Sequence, residues 1–114
     1  MTIKEITAIL SGKIVCGTPD SPIRVAEAFA SDLMSDVLTL STENPLLITG
    51  LNNLQTIRTA EMAGIGVVVI ARGKKISEEM IQLAGENEII LIETDFSVFK
   101  TSGLLYETGI KPIY

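Results

Sequence analysis

Three short apolar runs in the second half of the chain constrain the fold more than any other feature. They occupy residues 45–49, 67–71 and 89–93, where the sequence reads PLLIT, VVVIA and IILIE. Nearly continuous apolar runs of this length are typical of strands that are covered on both faces, as in a parallel sheet. We therefore predict three neighbouring parallel strands whose carboxyl ends share one edge of the sheet.

Two amphipathic segments lie between these runs and supply the helical crossovers that parallel strands require. They span residues 53–64 and 77–88, and each begins with a polar residue that can cap a helix. The predicted buried stripes are Leu54, Ile57, Ala60 and Gly64 in the first segment, and Ile76, Met80, Leu83 and Ala84 in the second. Such crossovers are right-handed in nearly all proteins, so both helices should pack against the sheet in the same rotational sense.

The N-terminal segment predicts another helix. Thr2 lies three residues before Glu5, which is the spacing of a capping box. Isoleucine and leucine residues then recur with helical spacing up to Gly12, where we expect the helix to end.

The region between residues 13 and 40 predicts two strands and a short helix. Residues 13–17 and 23–30 flank a segment with two prolines and an aspartate, so we expect two strands joined by an exposed loop. Residues 31–40 have the apolar spacing of a helix. Its predicted N-cap is Ser31 or Asp32, and its predicted apolar face is Leu33, Val37 and Leu40.

A final helix is predicted over residues 95–108. Thr94 or Asp95 would cap its start, and Gly109 and Pro112 follow its end. Gly103 lies within it, where glycine costs about 1 kcal/mol relative to alanine. We therefore expect Gly103 to pack closely against another backbone, either in this chain or in a partner.

Together these elements predict a single α/β domain over residues 1–114, with a mostly parallel sheet of about five strands and helices on both faces. Hydrophobic residues make up 46% of the chain and charged residues 20%, as in globular proteins. The net charge of -5 disfavours nucleic-acid binding, which depends on clustered lysine and arginine.

Cysteine and histidine usage excludes further classes of protein. Cys16 is the single cysteine and histidine is absent, so an intramolecular disulfide and the usual zinc ligand sets are both excluded. No run approaches the roughly 18 apolar residues of a membrane-spanning helix. We expect a cytoplasmic protein that binds neither nucleic acid nor membrane.

The shared strand ends are where we place a candidate ligand site, because helix N-termini expose unpaired N–H groups there. Thr49, Gly50, Asn52 and Asn53 follow the first apolar run. Asn53, or else Asn52, is expected to cap the next helix. In the alternative interpretation, the asparagine amides contact a small polar ligand.

The second and third runs add charged residues to the same edge. Arg72, Gly73, Lys74 and Lys75 follow the second run, where three cations next to a helix N-terminus would attract an anionic ligand or would simply be solvated. Glu93 and Asp95 at the end of the third run make the charge of this edge mixed, although Asp95 is also explained as a helix cap.

No catalytic residue, metal site or cofactor is predicted. Gly64 and Gly66 precede a strand, whereas a dinucleotide-binding fingerprint must follow one. Without histidine the common general base is missing, and Cys16 is expected to be a small buried apolar residue. Asp32 and Asp36 have the spacing of neighbours on a helix and could join a hard-cation site, but capping and solvation explain them as well.

The segment TGLNNLQTIRTAEMAGIGVVVIARG, residues 49–73, resembles the central part of the DRTGG domain family. In that family a strand ends in Gly-Asp-Arg, the next helix ends in Ala-Gly, and the next strand ends in Thr-Gly-Gly. Aligned on the Ala-Gly pair at 63–64, the Asp-Arg pair falls on Asn52 and Asn53, and the Thr-Gly-Gly falls on residues 71–73. Gly73 is the one of these five family residues that this chain retains.

The resemblance covers roughly residues 1–108 and implies an α/β sandwich similar to the N-terminal domain of HPr kinase. Domains of this family accompany CBS domains, pyrophosphatases and phosphate acetyltransferases, and the resemblance implies a regulatory or dimerising part without catalysis of its own. With Asn52 and Asn53 in place of Asp-Arg, the hydrogen-bonding groups remain and both charges are lost.

Our leading hypothesis is a non-catalytic regulatory module that forms a homodimer and senses a small polar or nucleotide-like ligand at the strand ends. Met34, Met62 and Phe99 support dimerisation if they are exposed, or else they complete the core. One alternative is an adaptor that docks onto a separate metabolic enzyme. The other is a small enzyme that acts on phosphorylated substrates through Arg72, Lys74 and Lys75.

Overall fold

A six-stranded sheet runs through the part of the chain that the computed structural model describes, residues 1–39 and 43–114. Its strands are β1 (Lys13–Cys16), β2 (Glu27–Ala30), β3 (Leu46–Thr49), β4 (Val67–Ile70), β5 (Ile90–Glu93) and β6 (Lys111–Pro112). They lie in the order β1-β5-β4-β3-β2-β6, and neighbouring strands are parallel except for β1 and β5. The prediction of an α/β fold with a mostly parallel sheet is confirmed, with six strands rather than about five.

The three apolar runs form the centre of this sheet as β3, β4 and β5. At their last paired residues, Thr49 lies opposite Ile70, and Ile70 lies opposite Glu93. The strands therefore end level with one another, which confirms the predicted common edge. Every residue of β3 and β4 is buried, as strands covered on both faces must be.

The two N-terminal strands lie on opposite sides of that centre. β1 is antiparallel to β5, and β2 is parallel to β3. β2 covers only Glu27–Ala30 of the predicted 23–30 segment, and within that segment Arg24 instead forms an isolated bridge with Thr2. The sixth strand, β6, contains Pro112 and pairs with β2. A proline is tolerated there because an edge strand leaves one side of its backbone unpaired.

Five helices cover both faces of the sheet in the described ranges. They are α1 (Ile3–Ile9), α2 (Met34–Val37), α3 (Leu54–Met62), α4 (Glu78–Glu86) and α5 (Val98–Glu107). Buried residues of α2, α3 and α4 pack with Leu47, Val68 and Leu91, and those of α1 and α5 pack with the alternate residues of the same strands. Both crossover helices thus lie on one face, as predicted.

The short helix α2 differs from its prediction. It covers Met34–Val37 rather than 31–40, and Leu33 occupies the N-cap position without a side-chain hydrogen bond. Ser31 and Asp32 do not cap it, because the Ser31 hydroxyl accepts from the N–H of Leu33 and the Asp32 carboxylate is bound to the end of β3. On the predicted apolar face Val37 is buried and Leu33 is exposed, while Leu40 lies outside the described residues.

Helix α5 also begins differently from its prediction, at a cap provided by Ser97. The Ser97 hydroxyl accepts a hydrogen bond from the N–H of Lys100. Thr94 is not available as a cap, because its buried hydroxyl donates to the carbonyl of Leu10 at 2.7 Å. Asp95 is exposed and lies beside Gly73. The predicted capping box of Thr2 and Glu5 in α1 is confirmed.

Two glycines behave differently from the predicted packing. Gly64 was assigned to a buried stripe but is exposed, with φ of +73°, and ends α3 in the left-handed conformation that glycine adopts readily. Gly103 is exposed too, and a Cβ added to it would meet no atom within 4 Å. The interpretation that Gly103 packs closely within this chain is therefore wrong.

The large apolar residues outside the central strands divide between core and surface. Met34 is half-buried and packs against the core cluster of α3 and α4. Met62 is 61% exposed and Phe99 is 88% exposed. The interpretation that they complete the core holds for Met34 and is wrong for Met62 and Phe99.

A search of the described helices for a bilayer-spanning segment finds none of sufficient length and apolarity.

Candidate functional site

Polar and charged residues meet where β2, β3, β4 and β5 end. We call this set the strand-end cluster. Its members are Asp32, Thr49, Gly50, Asn52, Asn53, Arg72, Gly73, Lys74 and Asp95. The parallel arrangement of the four strands brings these residues to one edge, although they come from four separate loops.

The carboxylate of Asp32 is bound directly to the end of β3. Its Oδ1 atom accepts a hydrogen bond of 2.7 Å from the backbone N–H of Gly50 and one of 2.9 Å from the hydroxyl of Thr49. The N–H of Gly50 and then the hydroxyl of Thr49 lower the pKa of Asp32, with smaller contributions from the charges of Lys74 and Arg72 and a partial opposition from burial. Asp32 is consequently a carboxylate at neutral pH.

Lys74 binds the carbonyl of Gly50, the residue that directly follows β3. The Nζ atom of Lys74 donates to the carbonyl oxygen of Gly50 at 2.6 Å. A Cβ built on Gly50 would lie 3.5 Å from Oδ2 of Asp32 and 3.8 Å from Nζ of Lys74. A carboxylate and an ammonium group therefore contact one glycine, each hydrogen-bonded to a different one of its backbone groups.

The turn after β4 has an unusual backbone. Arg72 and Gly73 are both left-handed, with φ of +72° and +65°. Their N–H groups donate to the carbonyls of Phe96 and Thr94, at 2.8 Å and 2.9 Å, which ties this turn to the loop after β5. A Cβ on Gly73 would lie 3.0 Å from Oδ1 of Asp95, so a larger residue there would crowd Asp95 and adopt a left-handed backbone that glycine adopts readily.

The two asparagines have separate structural roles. The side-chain oxygen of Asn53 accepts from the N–H of Thr56 at 3.0 Å, which confirms Asn53 as the N-cap of α3. The side-chain amide of Asn52 donates to the carbonyl of Lys75 at 2.8 Å and links the loops after β3 and β4. Both asparagines are exposed.

The structure thus joins Thr49, Gly50 and Lys74 of the predicted site by direct contacts, and it adds Asp32 as the residue that connects them. From the sequence alone, Asp32 is expected to be only a helix cap or half of a metal pair with Asp36. The informative signal is its position just after β2, because β2 lies beside β3 and their parallel ends share an edge. Across residues 1–39 and 43–114, no group of three or more acidic, cysteine or histidine residues is placed to hold a metal ion.

A concave region lies at the opposite end of the strands from the strand-end cluster. It has a volume of about 530 Å³ and is lined by Cys16, Ile23, Gly85 and the first residue of β5, Ile90, among others. Cys16 is half-buried rather than fully buried, and burial raises the pKa of its thiol. A protonated thiol is a poor nucleophile, so this region offers space for a ligand without evident chemistry.

Comparisons with known proteins agree with this fold. A family model described as the DRTGG domain matches residues 5–108. A crystal structure of the CBS and DRTGG domains of the regulatory region of Clostridium perfringens pyrophosphatase, complexed with the activator diadenosine tetraphosphate, superposes with a TM-score of 0.80. The identity is 18%, and the match covers 98% of this chain and 48% of that one. The present chain therefore corresponds to about half of that regulatory region, and no curated protein matches it.

Proposed function

Because the chain belongs to the DRTGG domain family, we propose that it is a non-catalytic regulatory module of the cytoplasm that forms a homodimer and senses a nucleotide-like ligand at the strand-end cluster. The structural neighbour supports the regulatory part, since its DRTGG domain lies in a regulatory region that was crystallised with a nucleotide activator. That region also contains CBS domains and is about twice as long as this chain. The proposed ligand and its position therefore depend on this chain's own residues.

The observation that carries the proposal is the state of the Asp32 carboxylate. Its Oδ1 atom is occupied by Gly50 and Thr49. Oδ2 receives no hydrogen bond from the described residues, and the side chain is exposed. A charged acceptor is thus held in a fixed orientation with one oxygen open to solvent, and such acceptors bind hydroxyl groups well.

The charges around Asp32 match a molecule with both hydroxyl and phosphate groups. Arg72 and Lys75 are exposed on the loop after β4, and guanidinium and ammonium groups are the usual partners of phosphate. A carboxylate at the end of a strand is a common partner of ribose hydroxyls. A nucleotide presents both groups a few ångströms apart, so this mixed edge fits it better than a purely anionic or purely neutral ligand.

Asp32 also provides a route by which binding could be transmitted. It lies two residues before α2, and its bond to Gly50 fixes the start of that helix relative to β3. A ligand that strengthens or replaces the Asp32–Gly50 bond would change the position of α2. The side chain of Leu33, at the start of α2, is exposed and would move with the helix. Regulation requires a structural difference between the ligand-bound and ligand-free states. The part that moves must also contact another surface for this difference to have an effect.

Dimerisation is supported by the exposed apolar side chains. Phe99 is 88% exposed and Met62 is 61% exposed, although each is large enough to stabilise an interface when covered. A homodimer would bury at least one of these residues and would explain why the protein leaves them on its surface.

An adaptor that docks onto a separate enzyme is the second candidate function. The structural neighbour belongs to the regulatory region of a pyrophosphatase, so its domain acts together with an enzyme in one chain. In a protein with the present fold, the net charge of -5 would favour a partner enzyme with a basic docking surface.

The proposed function is tested by measuring ligand binding to the purified chain with a panel of adenine nucleotides, diadenosine polyphosphates and sugar phosphates. A ligand present at about 100 times its dissociation constant should stabilise the folded protein by about 2.7 kcal/mol in thermal unfolding. Isothermal titration calorimetry then gives the affinity of any compound that shifts the melting temperature. If no member of the panel binds below millimolar concentration, the sensing function is wrong.

A further inference from the structure

Helix α5 has an exposed face made of aromatic residues around a glycine. Phe99 is 88% exposed, Tyr106 is 67% exposed, and Gly103 lies between them. Their spacing of three and four residues places all three on one side of the helix. The opposite side is buried through Thr101 and Leu105. No atom lies within 4 Å of the position that a Cβ on Gly103 would take, so another backbone can approach this side closely.

A small cavity adjoins this face. Its volume is about 170 Å³, and its lining includes Ala28 and Ile48 from the sheet and Ser102, Leu105 and Tyr106 from α5. The Oγ atom of Ser102 is buried there and makes no hydrogen bond with the described part of the chain. The cavity thus lies beside Tyr106 and is close in size to an aromatic side chain.

We propose that the homodimer forms through α5, with the two α5 helices antiparallel across a twofold axis between Ser102 and Gly103. This inference rests on the proposed function, which includes a homodimer, and it names the surface. About that axis Phe99 lies level with the partner subunit's Tyr106, and the same contact recurs with the roles exchanged, as a twofold interface requires. Each Phe99 then enters the cavity next to the partner's Tyr106.

The charges of α5 favour the antiparallel arrangement. They also indicate that a second copy of this chain covers the exposed face of α5. Lys100 and Glu107 directly follow Phe99 and Tyr106, so both charges lie on the same flank of the exposed face. In an antiparallel pair, the charged flank of one helix faces the charged flank of the other. Lys100 of each subunit then faces the partner's Glu107, so this contact occurs twice. In a parallel twofold pair, the charged flanks would lie on opposite sides of the interface, and Lys100 would not face the partner's Glu107. The face is therefore complementary to itself in one orientation.

Mutations of exposed residues test this interface without disturbing the core. Phe99→Ser should raise the dimer dissociation constant by about thirtyfold or more, as expected for a central aromatic residue, measured by sedimentation equilibrium of the full chain. Met62→Ser, on the opposite face of the sheet, is the matched control and should leave the constant within about threefold. Circular dichroism should show that both variants remain folded.

Charge reversal tests the antiparallel orientation. Lys100→Glu and Glu107→Lys should each weaken the dimer by about tenfold, because each places like charges opposite one another. The double variant should recover the wild-type constant, since the opposite charges then face each other again. Failure of the double variant to recover would overturn the antiparallel arrangement.

The outcomes separate this inference from the proposed function. A wild-type protein that remains monomeric at about 100 µM, where weak specific dimers are populated, overturns both the homodimer and its α5 surface. A dimer that persists in Phe99→Ser but dissociates in Met62→Ser overturns the α5 surface alone and leaves the proposed homodimer in place. Dissociation by Phe99→Ser with recovery in the double charge variant supports both.

Discussion

The Oδ1 atom of Asp32 accepts a 2.7 Å hydrogen bond from the backbone N–H of Gly50, which joins the loop after β2 to the end of β3. The edge of the sheet that commonly binds anions thus already holds a carboxylate from the protein. That carboxylate has Lys74 nearby and is open to solvent at its second oxygen. The cluster is therefore both a structural contact and a candidate ligand site.

Acid should destabilise the protein partly through Asp32. The folded-state pKa of Asp32 lies below its ordinary value of 3.8, so its contribution is present above that value and is lost as pH falls through the folded-state pKa. Asp32→Asn should cost about 1 kcal/mol at pH 7, a figure reduced for solvent screening, and progressively less as the pH falls below 3.8. Urea denaturation at pH 7 and over a series of pH values below 3.8 measures this difference.

A residual acid dependence is expected in that variant from Glu5. The backbone N–H of Thr2 and then its hydroxyl lower the pKa of Glu5 in the capping box of α1, and Asp32→Asn does not alter it. A difference in stability between wild type and Asp32→Asn that stays constant over the whole pH series would show that the Asp32 contacts do not stabilise the fold.

Removing the hydroxyl of Thr49 should weaken the same contact from the other side. Thr49 is fully buried and its hydroxyl donates to Asp32 and accepts from the N–H of Leu51. Thr49→Val keeps the shape of the side chain and should lower the free energy of unfolding by about 1–2 kcal/mol. Thr49→Ser retains the hydroxyl but loses a buried methyl group, so the pKa of Asp32 separates the two variants: it should rise in Thr49→Val and stay low in Thr49→Ser. An unchanged Asp32 pKa in Thr49→Val, measured by NMR titration, would argue against a role for this hydrogen bond.

Arg72→Gly should separate stability from binding. Arg72 adopts φ of +72°, a conformation that costs a non-glycine residue about 1 kcal/mol or more. The family pattern has glycine at this position and at Gly73, which the left-handed backbone of both residues explains. We expect Arg72→Gly to be as stable as wild type or up to about 1 kcal/mol more stable, with weaker nucleotide binding by calorimetry. A variant that loses stability and keeps its affinity would contradict the proposed role of Arg72.

The two asparagines should differ when each is changed to alanine. Asn53→Ala removes the N-cap of α3 and should cost about 1 kcal/mol, with ligand affinity unchanged. Asn52→Ala removes only the link to the carbonyl of Lys75 and should cost less. Thermal unfolding with and without ligand checks both. If the ligand-induced stabilisation disappears in Asn53→Ala, this residue contacts the ligand and the capping account is incomplete.

The centre of the fold could be predicted from the sequence because its physical cause is local. Strands covered on both faces are buried at every position, as β3 and β4 are, and are therefore almost entirely apolar, with Thr49 at the end of β3 as the one polar residue. The N-cap of α3 was also predictable, since Asn53 acts on a backbone group three residues away. The level strand ends then followed from the parallel arrangement.

Other features depend on contacts between distant parts of the chain. Asp32 binds Gly50 because β2 lies next to β3, and no local pattern indicates that strand order. The same bond removes Asp32 as a cap and shortens α2. Thr94 is likewise diverted from capping α5 by Leu10, 84 residues away. The exposed surface around Gly103 is a property of the tertiary structure, whereas helical spacing alone indicates only that Phe99 and Gly103 share a side.

Amide chemical shifts test the central claim, a ligand site at the strand ends, most directly. In an ¹⁵N-labelled sample titrated with diadenosine tetraphosphate or ATP, we predict the largest shifts at the backbone N–H groups of Gly50, Arg72 and Gly73, with smaller shifts in Arg72→Gly at the same ligand concentration. Shifts concentrated at Gly17 and Gly85, which line the cavity at the opposite end of the strands, or no shifts at all, would contradict the account.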